Sequence, residues 1–157
     1  MTIDTADIQA EGKRLIAEEW IAQGHNLSGA FIEAIQSEVE QSGGNTIISW
    51  YDTTERGYGA ILNRGVTHEK IPFSPGSGAK TSKYIAGLFR YVKLRMAVSD
   101  DKQALGIAFA IAYKHKKEGM PTKDSAIYSS TGRRIGFIED MEPKLLEAVE
   151  RMILIEV

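Results

Sequence analysis

The spacing of apolar residues constrains the fold of this chain more than any other feature, because it is helical along most of the length. Over residues 81–97 the apolar side chains recur every three or four positions, the period of one helix face, at Tyr84, Ile85, Leu88, Phe89, Val92 and Met96. Similar spacing predicts three more helices, over Thr5 to about Gly24, over 29–40 and from about Phe137 to Met152.

The helix over 81–97 is followed closely by another. Ser99, Asp100 and Asp101 are typical N-cap and first-turn residues, and the segment behind them is apolar on nearly every side as far as Tyr113. A helix of that kind is buried, in a core or against a partner. Its last turn, residues 114–117, is basic, which suits the C-terminal end of a helix dipole.

One short segment departs from the helical period and predicts a strand. The residues TIISWYD at 46–52 are rich in β-branched and aromatic side chains and lie between turn residues. A short helix that Gly65 ends is predicted over 57–68, and an edge strand over 153–157. These elements predict a helix-rich α+β fold with an N-terminal helix, a small antiparallel sheet, an inserted helical pair and a C-terminal helix. Its length of 157 residues suits a single domain, residues 1–157.

Several classes of function find no support in the residues. The chain has no cysteine, so thiolate metal sites and disulfides are excluded. No apolar run approaches the roughly 20 residues that cross a membrane, and the N-terminus lacks the pattern of a signal peptide. His25, His68 and His115 have no metal-ligand spacing, and no nucleophile motif is present. We therefore expect no cofactor, no metal, no membrane contact and no enzymatic activity, although an enzyme with an unrecognised site stays open.

The segment IPFSPGSGAKTSKY, residues 71–84, resembles a phosphate-binding loop without matching its pattern. That pattern places glycines one and six residues before Lys80, and the chain has Ala79 and Ser74 there. Glycine is needed because its backbone N–H groups approach the anion closely. The sequence thus favours a flexible connection over a nucleotide site.

Charge is divided into blocks along the chain. Residues 1–79 carry a net charge of −6, residues 80–134 a net charge of +8, and residues 135–157 a net charge of −4. A basic block attracts nucleic acid, and equally it lets the basic face of one copy meet the acidic face of another. The candidate contacts to a subunit or to DNA are Lys80, Lys83, Lys114, Lys116, Lys117, Lys123, Arg133 and Arg134.

The loop between these basic residues is a second sign of a partner. Tyr113 and Tyr128 lie beside the lysines and arginines, and cations next to aromatic rings are what nucleic-acid binding uses. Polar loops of about 15 residues, such as the one predicted over 121–136 within the flexible region around 114–134, are uncommon in compact domains unless a function or a partner requires them. Ordering between identical subunits is the interpretation we favour, with nucleic-acid binding as the alternative.

Three short phrases resemble, in chain order, the phage neck and tail-completion proteins. NLSGAF at 26–31, with Ile35 beyond it, is similar to the family's Thr-Gly-x-Leu-x-x-Ser-Ile segment. YGAILNRG at 58–65 resembles its Tyr-Ala-x-x-Val-Glu-x-Gly signature, and residues 133–149 resemble its Arg-Pro-Phe and C-terminal helix ending. The helices over 81–119 would then be an insertion between signature and ending.

The resemblance implies a structural protein of the virion that is assembled in the host cytoplasm. Such a subunit forms a homo-oligomeric ring around the DNA channel at the head–tail junction, in contact with connector, portal-side or tail proteins. The segment 72–80 would be an arm to a neighbouring subunit, where Lys80 and Lys83 pair with carboxylates. The alternative function is a nucleic-acid-binding module that uses the basic region 80–134.

Overall fold

The computed structural model describes residues 4–54, 57–76 and 82–155, without the side chains of residues 154 and 155. The chain divides into two compact units. One comprises Met1–Arg64 together with Tyr128–Val157, and the other is Gly65–Ile127. We call them the outer-segment unit and the middle unit. The fold is helix-rich with one two-stranded antiparallel sheet, so the predicted α+β class is confirmed, while the prediction of a single domain stays a prediction.

The described elements follow the predicted order. The helices are α1 (Thr5–Ala22), α2 (Ala30–Ala34), α3 (Tyr58–Arg64), α4 (Lys83–Arg95), α5 (Asp101–Glu118) and α6 (Phe137–Ile155). The strands are β1 (Ile35–Ser42) and β2 (Asn45–Asp52), and short 3-10 helices lie at His68–Lys70 and Lys123–Tyr128.

Aromatic rings form the core of the outer-segment unit. Trp20 on α1 is 1% exposed and stacks on Phe31 with the ring centroids 3.8 Å apart. Phe137, the first residue of α6, meets the same indole edge-on at 5.3 Å. Burial of such large apolar rings is a main source of folding free energy. An ion pair between Lys144 of α6 and the buried Glu19 of α1 also joins these two helices.

The helix predicted over 29–40 is wrong beyond Ala34. Residues 35–42 instead form β1, which pairs with β2 in the register Ile35↔Asp52 to Ser42↔Asn45. The turn between the strands has two glycines, Gly43 and Gly44, with φ of 57° and 81°, the backbone that two-residue hairpin loops require. Ile35 and Val39 are four residues apart, which suits one face of a strand as well as one face of a helix.

The hairpin lies against α1 through Trp50. Its indole Nε1 donates to the Gln9 carbonyl oxygen at 3.0 Å. A Cβ atom at Gly12 would lie 2.3 Å from the same ring, so the close approach of helix and strand depends on this glycine.

The edge strand predicted over 153–157 is also wrong for residues 153–155. These residues continue α6, which runs as one helix to Ile155; residues 156 and 157 lie outside the described part. The apolar run ILI suits either structure. The helix is favoured because its earlier turns already bury Met141 and Ala148 in the unit, and each added residue then extends a formed helix.

The middle unit is built on the pair α4 and α5. Ser82 and Asp100 cap the two N-termini by accepting from the backbone N–H groups of Tyr84 and Gln103, as the sequence predicts for the second helix. On α5 the fully buried side chains form a stripe of alanines four residues apart, at Ala104, Ala108 and Ala112. Small side chains allow the helices to approach closely, so α5 is buried along one stripe and not on all sides.

Candidate functional site

The structure distributes the candidate basic residues over both units. Five lie in the middle unit, where Lys83 begins α4, Lys123 begins a 3-10 helix, and Lys114, Lys116 and Lys117 lie among the last five residues of α5. Arg133 and Arg134 belong to the outer-segment unit. Lys80 lies outside the described residues. The loop predicted around 114–134 needs correction, because its first residues are helical and 123–128 form a 3-10 helix.

Two of the lysines make polar contacts with other residues of the middle unit. Lys114 forms an ion pair with Asp124, and this hydrogen bond lowers the pKa of the Asp124 carboxyl group. Lys116 donates from Nζ to the carbonyl oxygen of the buried residue Ile71 at 3.2 Å. Both side chains therefore hold the end of α5 to neighbouring segments. Lys83, Lys117 and Lys123 are exposed.

Arg134 is a structural residue of the outer-segment unit. Its Nε and Nη2 atoms donate to the carbonyl oxygens of Gln23 and Gly24, both at 3.2 Å. These carbonyls follow the last turn of α1, where a helix has no internal donors for them and favours a cation. Arg133 pairs with Asp140 on α6. The two arginines thus hold the segment that contains them in place.

That segment, residues 128–136, runs over the C-terminal end of α1, and we call it the return segment. The backbone N–H and hydroxyl of Ser130 both donate to the Ala22 carbonyl oxygen, at 2.8 and 3.0 Å. Gln23, which is fully buried, donates from Nε2 to the Ile135 carbonyl oxygen at 3.2 Å and to Asp140 Oδ2 at 3.0 Å. The carbonyl groups of Ala22, Gln23 and Gly24, at the end of α1, therefore accept from residues more than 100 positions away.

His25 lies beneath the return segment, with its ring centroid 4.8 Å from that of Trp20. Burial and, to a smaller extent, the positive charge of Arg134 lower the pKa of this imidazole from 6.5 to about 4. Its buried Nε2 has no hydrogen-bond partner among the described residues. Protonation would place a second cation beside Arg134 in a partly apolar site, which disfavours the charged ring.

We expect stability to fall between about pH 6.5 and pH 4 because of His25. The unfolded chain binds a proton at this residue from the ordinary pKa of 6.5 downward, whereas the folded chain does not until about pH 4. The loss is about 2 kcal/mol, less than the full shift implies because the ring is only partly buried. Urea unfolding at pH 7 and pH 4.5 measures it.

The variant His25→Gln should show a smaller loss of unfolding free energy between those pH values than the wild type. His68→Gln is the matched control, because His68 is exposed in a 3-10 helix. Equal pH dependence in the wild type and in His25→Gln would contradict the role of His25.

One close polar contact was not predicted from the sequence. The hydroxyl of Tyr84 on α4 lies 2.6 Å from His115 Nδ1 on α5, and burial raises the pKa of Tyr84 to about 12. The phenol therefore stays protonated and ties the two helices of the middle unit together. Each residue lies on a helix with ordinary spacing, and only the packing of α4 on α5 brings them together.

The two units have net charges of opposite sign. The middle unit contains 11 basic and 5 acidic side chains, a net charge of +6. The outer-segment unit contains 8 basic and 16 acidic side chains, a net charge of −8. The three sequence blocks are thus two units of opposite charge, because the acidic first and last segments fold together.

Metal ligands, membrane-spanning helices and similarity to known proteins assign no function to the chain. Within the described ranges there is no group of three or more potential metal ligands, and no helix there is long and apolar enough to span a membrane. No family model matches the chain, and neither the curated proteins nor the solved structures contain a match to it.

Proposed function

We propose that this chain is a structural assembly protein whose copies associate head to tail, as the subunit of a ring at a phage head–tail junction. The observation that carries the proposal is the opposite net charge of the two units, +6 and −8. Net charges of opposite sign on the two units give every copy both partners of a heterologous contact. Such contacts close into a ring when the rotation between copies divides a full turn, and complementary charge selects their register.

Exposed apolar side chains support an assembly function. In the middle unit Leu94 is 54% exposed, and in the outer-segment unit Leu146 is 62% exposed. Both are aliphatic side chains on long helices, and a contact between copies would bury them. The place of the ring in a phage particle, around the DNA channel and between connector, portal-side or tail proteins, is supported by the resemblance of the short phrases at 26–31, 58–65 and 133–149.

Nucleic-acid binding is the second candidate function, and the net charge of the middle unit favours it. A unit with a net charge of +6 attracts phosphates whatever the base sequence. The structure narrows the residues that are available for this, because Lys114 and Lys116 bind Asp124 and the Ile71 carbonyl group. Lys83, Lys117 and Lys123 are the exposed lysines to which such binding would fall.

Light scattering of the purified chain, at low and moderate salt and with or without a short DNA duplex, tests the proposal. We expect a defined homo-oligomer whose mass does not change when DNA is added. A monomer that binds the duplex would support the nucleic-acid function instead. A monomer that ignores DNA under all these conditions would contradict both functions.

A lysine-to-serine variant at positions 83, 117 and 123 separates the two functions further. Its DNA retention should be lost if the chain binds nucleic acid, whereas the oligomer mass should shift if the chain assembles. The matched control replaces Arg64 and Arg151, which are exposed basic residues of the acidic outer-segment unit. Arg134 is left unchanged in both, because its guanidinium holds the end of α1.

A further inference from the structure

Helix α4 has an outward face with a distinct order of side chains. Along this face the exposed residues are a cation, two small residues, a second cation and an apolar residue: Lys83, Ala86, Gly87, Arg90 and Leu94. Ala86 and Gly87 are adjacent and the other steps are of three or four residues, which places all five on one side of the helix. A Cβ atom at Gly87 would meet nothing within 4 Å, so the centre of the face is open surface. The helix carries four basic and no acidic side chains.

Helix α6 has an outward face with the complementary order. Its exposed residues are a carboxylate, a large apolar residue, a second carboxylate and another apolar residue: Glu142, Leu146, Glu150 and Ile153. This helix carries five acidic and two basic side chains. Leu146 is flanked by carboxylates four residues before and after it, so a partner that covers this leucine would also meet two negative charges.

The two faces match in dimension as well as in charge. Lys83 and Leu94 are 11 positions apart, as are Glu142 and Ile153, a rise of about 16 Å along either axis. The cations of α4 are about 10 Å apart and the carboxylates of α6 about 12 Å apart along the helix axes. Laid side by side in parallel, the helices bring Leu146 over Ala86 and Gly87.

We propose that α6 of one copy packs in parallel on α4 of the next copy. Glu142 then meets Lys83, Glu150 meets Arg90, and Ile153 meets Leu94. The partner is a second copy of this chain because the acidic face offers no binding to nucleic acid, and each copy carries both complementary faces. The inference rests on the proposed self-association and names the surfaces that produce it.

The contact is heterologous, and this property gives a sharp test by mixing two variants. Arg90→Glu disrupts the α4 face and leaves the α6 face intact. Leu146→Lys disrupts the α6 face and leaves the α4 face intact. Each variant alone should associate at least about tenfold more weakly than the wild type, because like charges then meet at the contact. An equimolar mixture should form a one-to-one dimer, through the intact α6 of the first variant and the intact α4 of the second.

A charge exchange within one chain provides the rescue. The double variant Arg90→Glu/Glu150→Arg restores opposite charges at every contact, so its oligomer mass should return to that of the wild type. Lys102→Glu and Ile21→Lys are matched controls, since both residues are exposed and lie on other helices. The measurement is sedimentation velocity over a range of concentrations.

The outcomes distinguish this inference from the proposed function. If the wild type associates and both single variants associate equally well, the inferred surfaces are wrong while self-assembly stands. If the mixture of variants forms no dimer or the charge exchange restores nothing, the pairing of α4 with α6 is overturned. If Arg90→Glu loses only the binding of a DNA duplex and keeps its oligomer mass, α4 is a nucleic-acid surface. A wild type that stays monomeric throughout overturns both proposals.

Discussion

Replacing Trp20 by alanine is expected to lower the free energy of unfolding by about 3–5 kcal/mol. The indole is 1% exposed and contacts Phe31, Phe137 and the His25 ring at centroid distances of 3.8, 5.3 and 4.8 Å. These partners come from α2, α6 and the turn after α1. Movement of a single segment cannot fill the cavity left by the indole, because each neighbouring ring belongs to a different segment.

Urea unfolding followed by circular dichroism measures this loss. Tyr51→Ala is the matched control, because Tyr51 is an aromatic residue of the same unit but is 46% exposed on β2. We expect the control to lose less than about 1 kcal/mol. A loss for Trp20→Ala no greater than that of the control would show that the rings do not form the core described above.

Replacing Gly24 by alanine is expected to lower the free energy of unfolding by about 3 kcal/mol, for two reasons that add. Gly24 has a φ of +73°, where a Cβ atom is strained. The added Cβ would also lie 2.1 Å from the carbonyl oxygen of Tyr128. Since this oxygen belongs to the backbone of the return segment, relief of the clash would require that segment to leave the end of α1.

Gly29→Ala separates the two reasons. Gly29 has a φ of +79°, yet a Cβ atom there would meet nothing within 4 Å, so only the backbone strain of about 1 kcal/mol is expected. Thermal or urea unfolding of both variants gives the difference. Equal losses would mean that the return segment does not pack on Gly24 in solution.

Much of the fold was predictable because helix signals are local. The period of the apolar residues in α1, α4 and α6 and the caps at Ser99 to Asp101 and Gly65 are all contained within one element each. The strand at 46–52 was predictable for the same reason. The residues at which elements begin and end were harder to predict. Strand β1 was missed because the positions of Ile35 and Val39 suit both the period of a helix face and that of a strand face. Pairing with β2 decides between them, and that pairing is a contact with another segment.

The candidate site divides in the same way. The charge of every lysine and arginine is a property of the sequence, and so are the blocks of net charge. The contacts that each charged side chain makes cannot be read from the sequence. Nothing in the sequence distinguishes Arg133 and Arg134 from the exposed cations Lys117 and Lys123. In the structure Arg134 binds the end of α1 and Arg133 binds Asp140, because the return segment folds back on a helix more than 100 residues earlier.

By itself the sequence determined the helices α1, α4 and α5 and most of α6, the N-terminal cap of α5, and that the middle of the chain is basic. Only the tertiary structure decided that the acidic first and last segments fold into one unit, that Tyr84 meets His115, and which charged side chains remain exposed. The physical reason is range. Helical propensity and charge act within a few residues of a position, whereas burial and hydrogen-bond satisfaction depend on segments brought together from distant parts of the chain.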